Sequence, residues 1–265
     1  MKKDKKKRRF SVVFILLLIG SLIINRNILK YVAVDLINII DKKDSFMKEE
    51  KREELNRYTY QEGFYEEKLS SNLKDKILGL SFPLEFNDKY TKISFDDLRY
   101  LRLKYKDIDG ITHNDGEMIV NKKVAKEVLF IFYELYINDY PIEKIRLVEE
   151  YNANDEESME DNNTSCFNYR VVEGEDKLSW HALGLAIDIN PKYNPYIVGK
   201  KVYPVNGYDY VNRKNDFIYK IDYDDLAYKI FKKYGWSWGG DFKYTKDYQH
   251  FYKVIYEDNV RESKE

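Results

Sequence analysis

The sequence predicts an α+β fold: a small antiparallel sheet with flanking helices. Two observations predict it. Amphipathic stretches at helical spacing are interleaved irregularly with short apolar runs of strand length, without the regular strand–helix–strand alternation that a doubly wound sheet requires. The chain, at 265 residues and 43% hydrophobic, is long enough to bury its own core and too apolar for wholesale disorder. Its 45 Lys+Arg stand against 46 Asp+Glu, a near balance that argues against a nucleic-acid partner. One cysteine, Cys166, excludes an intramolecular disulfide and a multi-cysteine metal site.

The near-neutral total hides an asymmetry. Residues 2–9 read KKDKKKRR, seven positive charges and one negative, so the rest of the chain is acidic. Phe10 to Ile24 follows, FSVVFILLLIGSLII, without a charge and without a polar face. A basic segment before an apolar run is an export signal. Fifteen helical residues reach about 22 Å, short of a hydrocarbon core of about 30 Å, and Arg9 and Arg26 can extend the span by snorkelling. No small-x-small cleavage site follows, which favours a retained transmembrane helix over a cleaved signal. The lysines then lie in the cytoplasm and the acidic remainder outside: a single-pass protein of the cell membrane with its main domain extracytoplasmic. The resulting map is a basic tail (1–9), an anchor or signal (10–24), a charge-dense helical stalk (25–75), a globular domain (76–257) and a polar tail (258–265).

Within the globular part, Ser94 is placed to cap a helix running through Asp97, Leu98 and Leu101. Asp109-Gly110 signals a turn. Lys122 to Ile137 carries Val124, Val128, Ile131 and Leu135 on one stripe. Asp222 is placed to cap a helix with Leu226, Ile230 and Phe231, which Lys232, Lys233 and Gly235 would end. Strand-like runs fall at Lys144–Val148, Leu185–Ile189 and His250–Tyr256.

The chemistry gathers around two of the three histidines. Ser179 to Pro191 reads SWHALGLAIDINP and Trp236 to Phe251 reads WSWGGDFKYTKDYQHF. His181, Asp188 and His250 make a set of two imidazoles and one carboxylate, which leaves a zinc ion an open position for water. A further carboxylate near that water can act as general base. For Asp247 to share a face with His250 it should sit in a turn, with His250 opening the final strand.

S-x-H-x-x-G-x-A-x-D followed by W-G-G-D-x5-D-x-x-H-F resembles the D-alanyl-D-alanine carboxypeptidase family of zinc peptidases, which includes the vancomycin-resistance carboxypeptidases and the L-alanyl-D-glutamate endopeptidases of cell-wall turnover and phage lysis. DNNTSCFNYR (161–170), INPKYNPY (189–196) and GEMIVN (116–121) resemble the extended pattern of one branch. The resemblance thus spans roughly residues 90 to 256. It implies that His181, Asp188 and His250 bind Zn2+, that Asp247 is the catalytic acid/base, and that Arg170 polarises the scissile carbonyl. It places Ser179 at the family serine before the first histidine, as a substrate contact or a support for the metal ligands. The Asp at 247, where several members carry Glu, resembles the endopeptidase branch.

The implied activity is hydrolysis of peptidoglycan stem peptides, as a D-Ala-D-Ala carboxypeptidase or an L-Ala-D-Glu endopeptidase. A non-catalytic, zinc-stabilised cell-wall-binding module is the competing class, and a cytoplasmic peptidase whose apolar start is core is a third. Outside the motifs, His113 reads as a polar turn residue, Cys166 as a small buried hydrophobe, and the acid-rich stretch 149–161 as a solvated loop. Trp238 reads as structural support, and the 25 tyrosines as compositional bias more than a sugar-stacking surface.

Overall fold

The computed structural model describes residues 42–43, 57–172 and 176–255. The chain divides into two compact units, Met1–Asn56 and Arg57–Glu265, and all the elements named below lie in the second. Strands β1 (Tyr58–Gln61) and β2 (Phe64–Glu67) pair with each other, and β2 pairs with β3 (Leu98–Lys106). Helix α1 (Ser71–Ile77) intervenes, capped by Ser70 and burying Ile77. β3 pairs with β4 (Thr112–Asn121) through the turn at Gly110, completing an antiparallel sheet in the order β1-β2-β3-β4. The stalk expected over 25–75 is therefore corrected at its C-terminal end: residues 58–61 and 64–67 are sheet strands, and Phe64 is buried against Tyr133 and Tyr136.

The helix expected after Ser94 is also corrected. Ser94 does cap, with its amide and hydroxyl both donating to Asp97, but the helix is a single 3-10 turn, Phe95–Asp97. Leu98 and Leu101 fall in β3, where Leu101, Leu103 and Tyr105 alternate into the core. Period two wins over period 3.6 because β-strand geometry buries all three of these side chains on one face. His113, expected in a turn, lies in β4, stacked on Tyr105 with its Nε2 2.8 Å from Asp107.

Helix α2 (Ala125–Ile137) follows the expected stripe, burying Val128, Ile131 and Leu135 together with Leu129 and Phe132. Two-residue strands β5 (Lys144–Ile145) and β6 (Asn163–Thr164) pair in parallel, flanking α3 (Asp155–Glu160). The acid-rich segment is thus folded rather than a solvated loop; Glu149 is buried and hydrogen-bonded to Ser81.

β7 (Ala186–Asp188), β8 (Tyr196–Val198) and β9 (Lys201–Tyr203) precede α4 (Leu226–Lys233). The cap of α4 is Asp225, which accepts from the Ala227 and Tyr228 amides; the expected cap, Asp222, instead accepts from Asp224. Gly235, at φ +74°, follows the end of α4 as expected. β10 (Ser237–Trp238), β11 (Lys246–Asp247) and β12 (His250–Tyr252) close the domain. They complete two more antiparallel sheets, in the orders β10-β12-β7 and β11-β8-β9. The protein is a mixed fold of small, mostly antiparallel sheets and few helices. Among the described residues no helix is long and apolar enough to cross a membrane; the expected anchor (10–24) and both expected tails (1–9 and 258–265) lie outside the described residues.

One core serves both the main sheet and the small sheet β10-β12-β7. Ile187, Trp236, Trp238 and Phe251 pack into the same buried cluster as β3 and α2. Phe251 stacks on Phe231 of α4 at 4.2 Å. Burying one such ring contributes about 1.5–3 kcal/mol. Because side chains alternate across a strand, seating Ile187 and Phe251 in the core turns their neighbours Asp188 and His250 to the opposite face.

Candidate metal centre

β7 and β12 hold the first two candidate ligands. His250 and Asp188 are directly opposed in the antiparallel ladder, a position that places side chains in contact. His250 Nδ1 lies 3.0 Å from Asp188 Oδ1. As expected, His250 opens the final strand.

His181 arrives from the 3-10 turn Trp180–Leu183, which Ser179 caps by accepting from the His181 amide at 3.2 Å. Gly184 ends the turn at φ +64°, and its carbonyl accepts from the Asn121 amide of β4. A Cβ on Gly184 would meet that amide nitrogen at 2.6 Å. Glycine is thus required twice, for its left-handed backbone and for the close approach of the turn to the sheet. His181 Nε2 then lies 3.1 Å from both His250 Nδ1 and Asp188 Oδ2. All three side chains are buried, and their donor atoms form a group able to hold a metal ion.

The donor chemistry fits a dication. His181 Nδ1 is 2.6 Å from the Cys166 carbonyl, an acceptor only, so Nδ1 carries a proton and Nε2 is the ring nitrogen that a metal would take. Nε2 faces a carboxylate oxygen of Asp188 at contact distance. Burial works against the Asp188 charge, yet the two imidazoles hold its carboxyl well below the usual range. Two imidazole nitrogens and a carboxylate converging on one buried point form a donor set that could hold a metal ion. Zinc ligands at about 2.0–2.1 Å in tetrahedral array stand about 3.3 Å apart, close to the 3.0–3.1 Å found here. A carbonyl on the far ring nitrogen, such as that of Cys166 here, is the kind of outer partner that orients histidines in metal sites. Cys166 itself is buried, as expected, and burial pushes its thiol well up.

Asp247 does not sit in a turn, a correction to the expected placement. It ends β11, paired with Tyr196 of β8, and the bend falls at Tyr248–Gln249. A bend between two strands of different sheets achieves what a turn at Asp247 was expected to do. Gly239 makes room: a Cβ there would meet the Asp247 carbonyl oxygen at 2.6 Å. Trp238 supports the same loop, its Nε1 donating to the Tyr248 carbonyl. Asp247 Oδ1 is enclosed and has no hydrogen-bond partner. Burial pushes its carboxyl up to about 7; His250 pulls it down and Asp188 pushes it further up.

Arg170 lies opposite Ser179, whose amide donates to the Arg170 carbonyl. Its Nη2 pairs with Asp155 Oδ2 at 2.6 Å. Burial opposes the guanidinium charge, but Asp155, Asp188 and Asp247 more than offset it. The structure therefore brings His181, Asp188 and His250 into contact, with Asp247 and Arg170 within electrostatic reach and Ser179 beneath the first histidine. Sequence reasoning missed the Cys166 carbonyl, because a backbone acceptor leaves no residue-type signature. It also missed Asp155, hidden in an acid-rich run.

His181, Asp188 and His250 thus form a buried two-histidine, one-carboxylate group that could hold a metal ion, with Asp247 and Arg170 close enough to feel its charges. Residues 173–253 match the model of a peptidase family described as D-alanyl-D-alanine carboxypeptidase. The matched segment contains His181, Asp188, Asp247 and His250, and Arg170 lies just before it. No curated protein and no solved structure matches the chain.

Proposed function

We propose that the domain is a zinc-dependent peptidase acting on the peptide stems of bacterial peptidoglycan, of D-Ala-D-Ala carboxypeptidase or L-Ala-D-Glu endopeptidase type. The observation that carries this reading is the convergence of His181, Asp188 and His250 within 3.0–3.1 Å, inside the segment that matches the peptidase family. These three side chains would hold the zinc. When bound, the ion supplies Lewis-acid polarisation of a carbonyl and acidifies water toward a pKa of about 7.

The remaining work falls to the protein's own groups. Asp247 can accept a proton at its unpartnered Oδ1 and return it to the leaving amine, and its burial favours holding that proton. Arg170 presents a permanent positive charge to the oxygen that becomes negative as the peptide carbonyl is attacked; such donors contribute a few kcal/mol in comparable sites. Ser179 holds the His181 turn through its cap. The charge asymmetry and apolar run at the N-terminus support placement of this domain on the outer face of the cell membrane.

The test is mass spectrometry of purified muropeptides of several chemotypes treated with the full-length chain, alongside metal analysis of the same sample. The expected result is bound zinc, one new amine per cleaved stem, loss of activity on chelation and recovery with zinc. Release of free D-alanine identifies the carboxypeptidase type, and separation of L-Ala from D-Glu the endopeptidase type. Zinc bound with no amine released from any chemotype would replace this reading with a wall-binding module.

A further inference from the structure

Asp155 belongs to the acid-rich segment 149–161, to which the proposed peptidase chemistry gives no part. Its carboxylate pairs with Arg170 Nη2 at 2.6 Å. The segment that carries it is tied to the metal centre. Asn168 donates from its side chain to the Ala153 carbonyl and from its backbone amide to the His181 carbonyl, both at 3.2 Å. One buried asparagine thus joins the turn before Asp155 to the turn that bears the first metal ligand. Asn152 and Ala153 both adopt left-handed backbone, at φ 52° and 57°, a conformation that non-glycine residues adopt only when the surroundings hold them there. Asn154 then caps α3 by accepting from the Glu157 amide. Asp155, the first residue of α3, is thereby fixed in place. On the other side of the pair, Arg170 Nε is buried and has no partner, so a donor remains for a ligand once Nη2 is engaged.

We infer that Asp155 is a positioning residue for Arg170: it takes one edge of the guanidinium and holds the rest toward the metal centre. This rests on the peptidase reading. An exposed ion pair between long side chains is worth little and wanders among rotamers. Here the carboxylate comes on a short side chain from a pinned helix start, so the flexible arginine is the partner that becomes ordered. Chemically, Asp155 converts a mobile cation into a preorganised one, the property that makes an oxyanion-stabilising group effective.

A double-mutant cycle on the full-length chain tests this, using Asp155→Ala and Arg170→Ala singly and together against the muropeptide that the wild type cleaves. The expected result is a 10- to 100-fold loss of kcat for Asp155→Ala with KM and zinc content nearly unchanged. In the Arg170→Ala background the same substitution should cost less than twofold. Equal losses in both backgrounds would overturn the inference, since a merely structural Asp155 would act whether or not the arginine is present. Should Asp155→Ala fail to fold, Asp155→Asn, of equal size, runs the same cycle. A second readout is independent of turnover: hydrogen exchange of the Arg170 Nε–H by NMR, assigned through its loss in Arg170→Lys. Protection in wild type that disappears in Asp155→Asn supports the inference, and equal exchange in both overturns it. If the wild type releases no amine, the peptidase reading falls, and this exchange measurement alone decides whether Asp155 orders Arg170.

Discussion

Asp247 shows how little of a residue's chemistry lies in its type. An exposed aspartate titrates near 4; here enclosure lifts the carboxyl to about 7 and leaves Oδ1 without a partner. β11 packs closely on Gly239, where a side chain would collide with the Asp247 backbone and Cβ. Replacing Asp247 with alanine removes the proton carrier but none of the three metal donors. The expected outcome is a loss of turnover on muropeptides of about 10²–10⁴-fold with zinc stoichiometry unchanged by metal analysis; wild-type turnover would refute the assignment. His181 makes the complementary point. Its type and position are plain in the sequence, but the proton on its Nδ1 is placed by the Cys166 carbonyl, visible only once the chain is folded.

Among the elements, the turn before β7 is the most exacting. Gly184 must be left-handed and must let the Asn121 amide approach. Gly184→Ala is expected to cost at least about 1–2 kcal/mol of stability from the backbone alone, and to displace His181. Urea denaturation and zinc affinity should both show the loss. Helix α4 gives a prediction about pH. Burial pushes its cap, Asp225, up to about 6, against the hydrogen bonds from the Ala227 and Tyr228 amides. The folded state holds this proton more tightly than the unfolded chain does. Its stabilising contribution is therefore complete below about pH 4 and is lost as pH rises through about 6. Asp225→Asn keeps a capping oxygen and removes the titration, so its Tm should vary less than that of wild type between pH 4 and 7. Ser94 shows why element type can be misread: a true cap sits before Leu98 and Leu101 at helical spacing, but the strand also buries Leu103 and Tyr105.

At the scale of the whole molecule, the boundary of the globular unit matters. Texture alone places it at residue 76, after a charge-dense run. The structure begins it at Arg57, because β1 and β2 extend the main sheet and Phe64 fills the core against α2. A chain starting at residue 76 should lose Phe64 burial, worth about 3–5 kcal/mol, and expose the β3 edge to aggregation. Compared by urea denaturation and light scattering, a chain starting at residue 57 should unfold at higher urea and stay monodisperse; equal behaviour would return residues 57–75 to the stalk.

Legibility followed range. The stripe of α2, the stop at Gly235 and the strand opening at His250 rest on residue type and spacing over a few positions, and the sequence by itself determined them; His181, Asp188 and His250 were marked out by two distant motifs that resemble a peptidase family. The caps at Ser94 and Asp225 were less legible, because several acidic or hydroxyl residues compete within one turn and packing chooses among them. The arrangement of the small sheets among the described residues, the register that faces Asp188 with His250, the titration of Asp247 and the grip of Asp155 on Arg170 join segments from fifteen to more than sixty residues apart. Only the tertiary structure decided those, since burial and contact across such separations are properties of the packed chain and leave no local pattern to read.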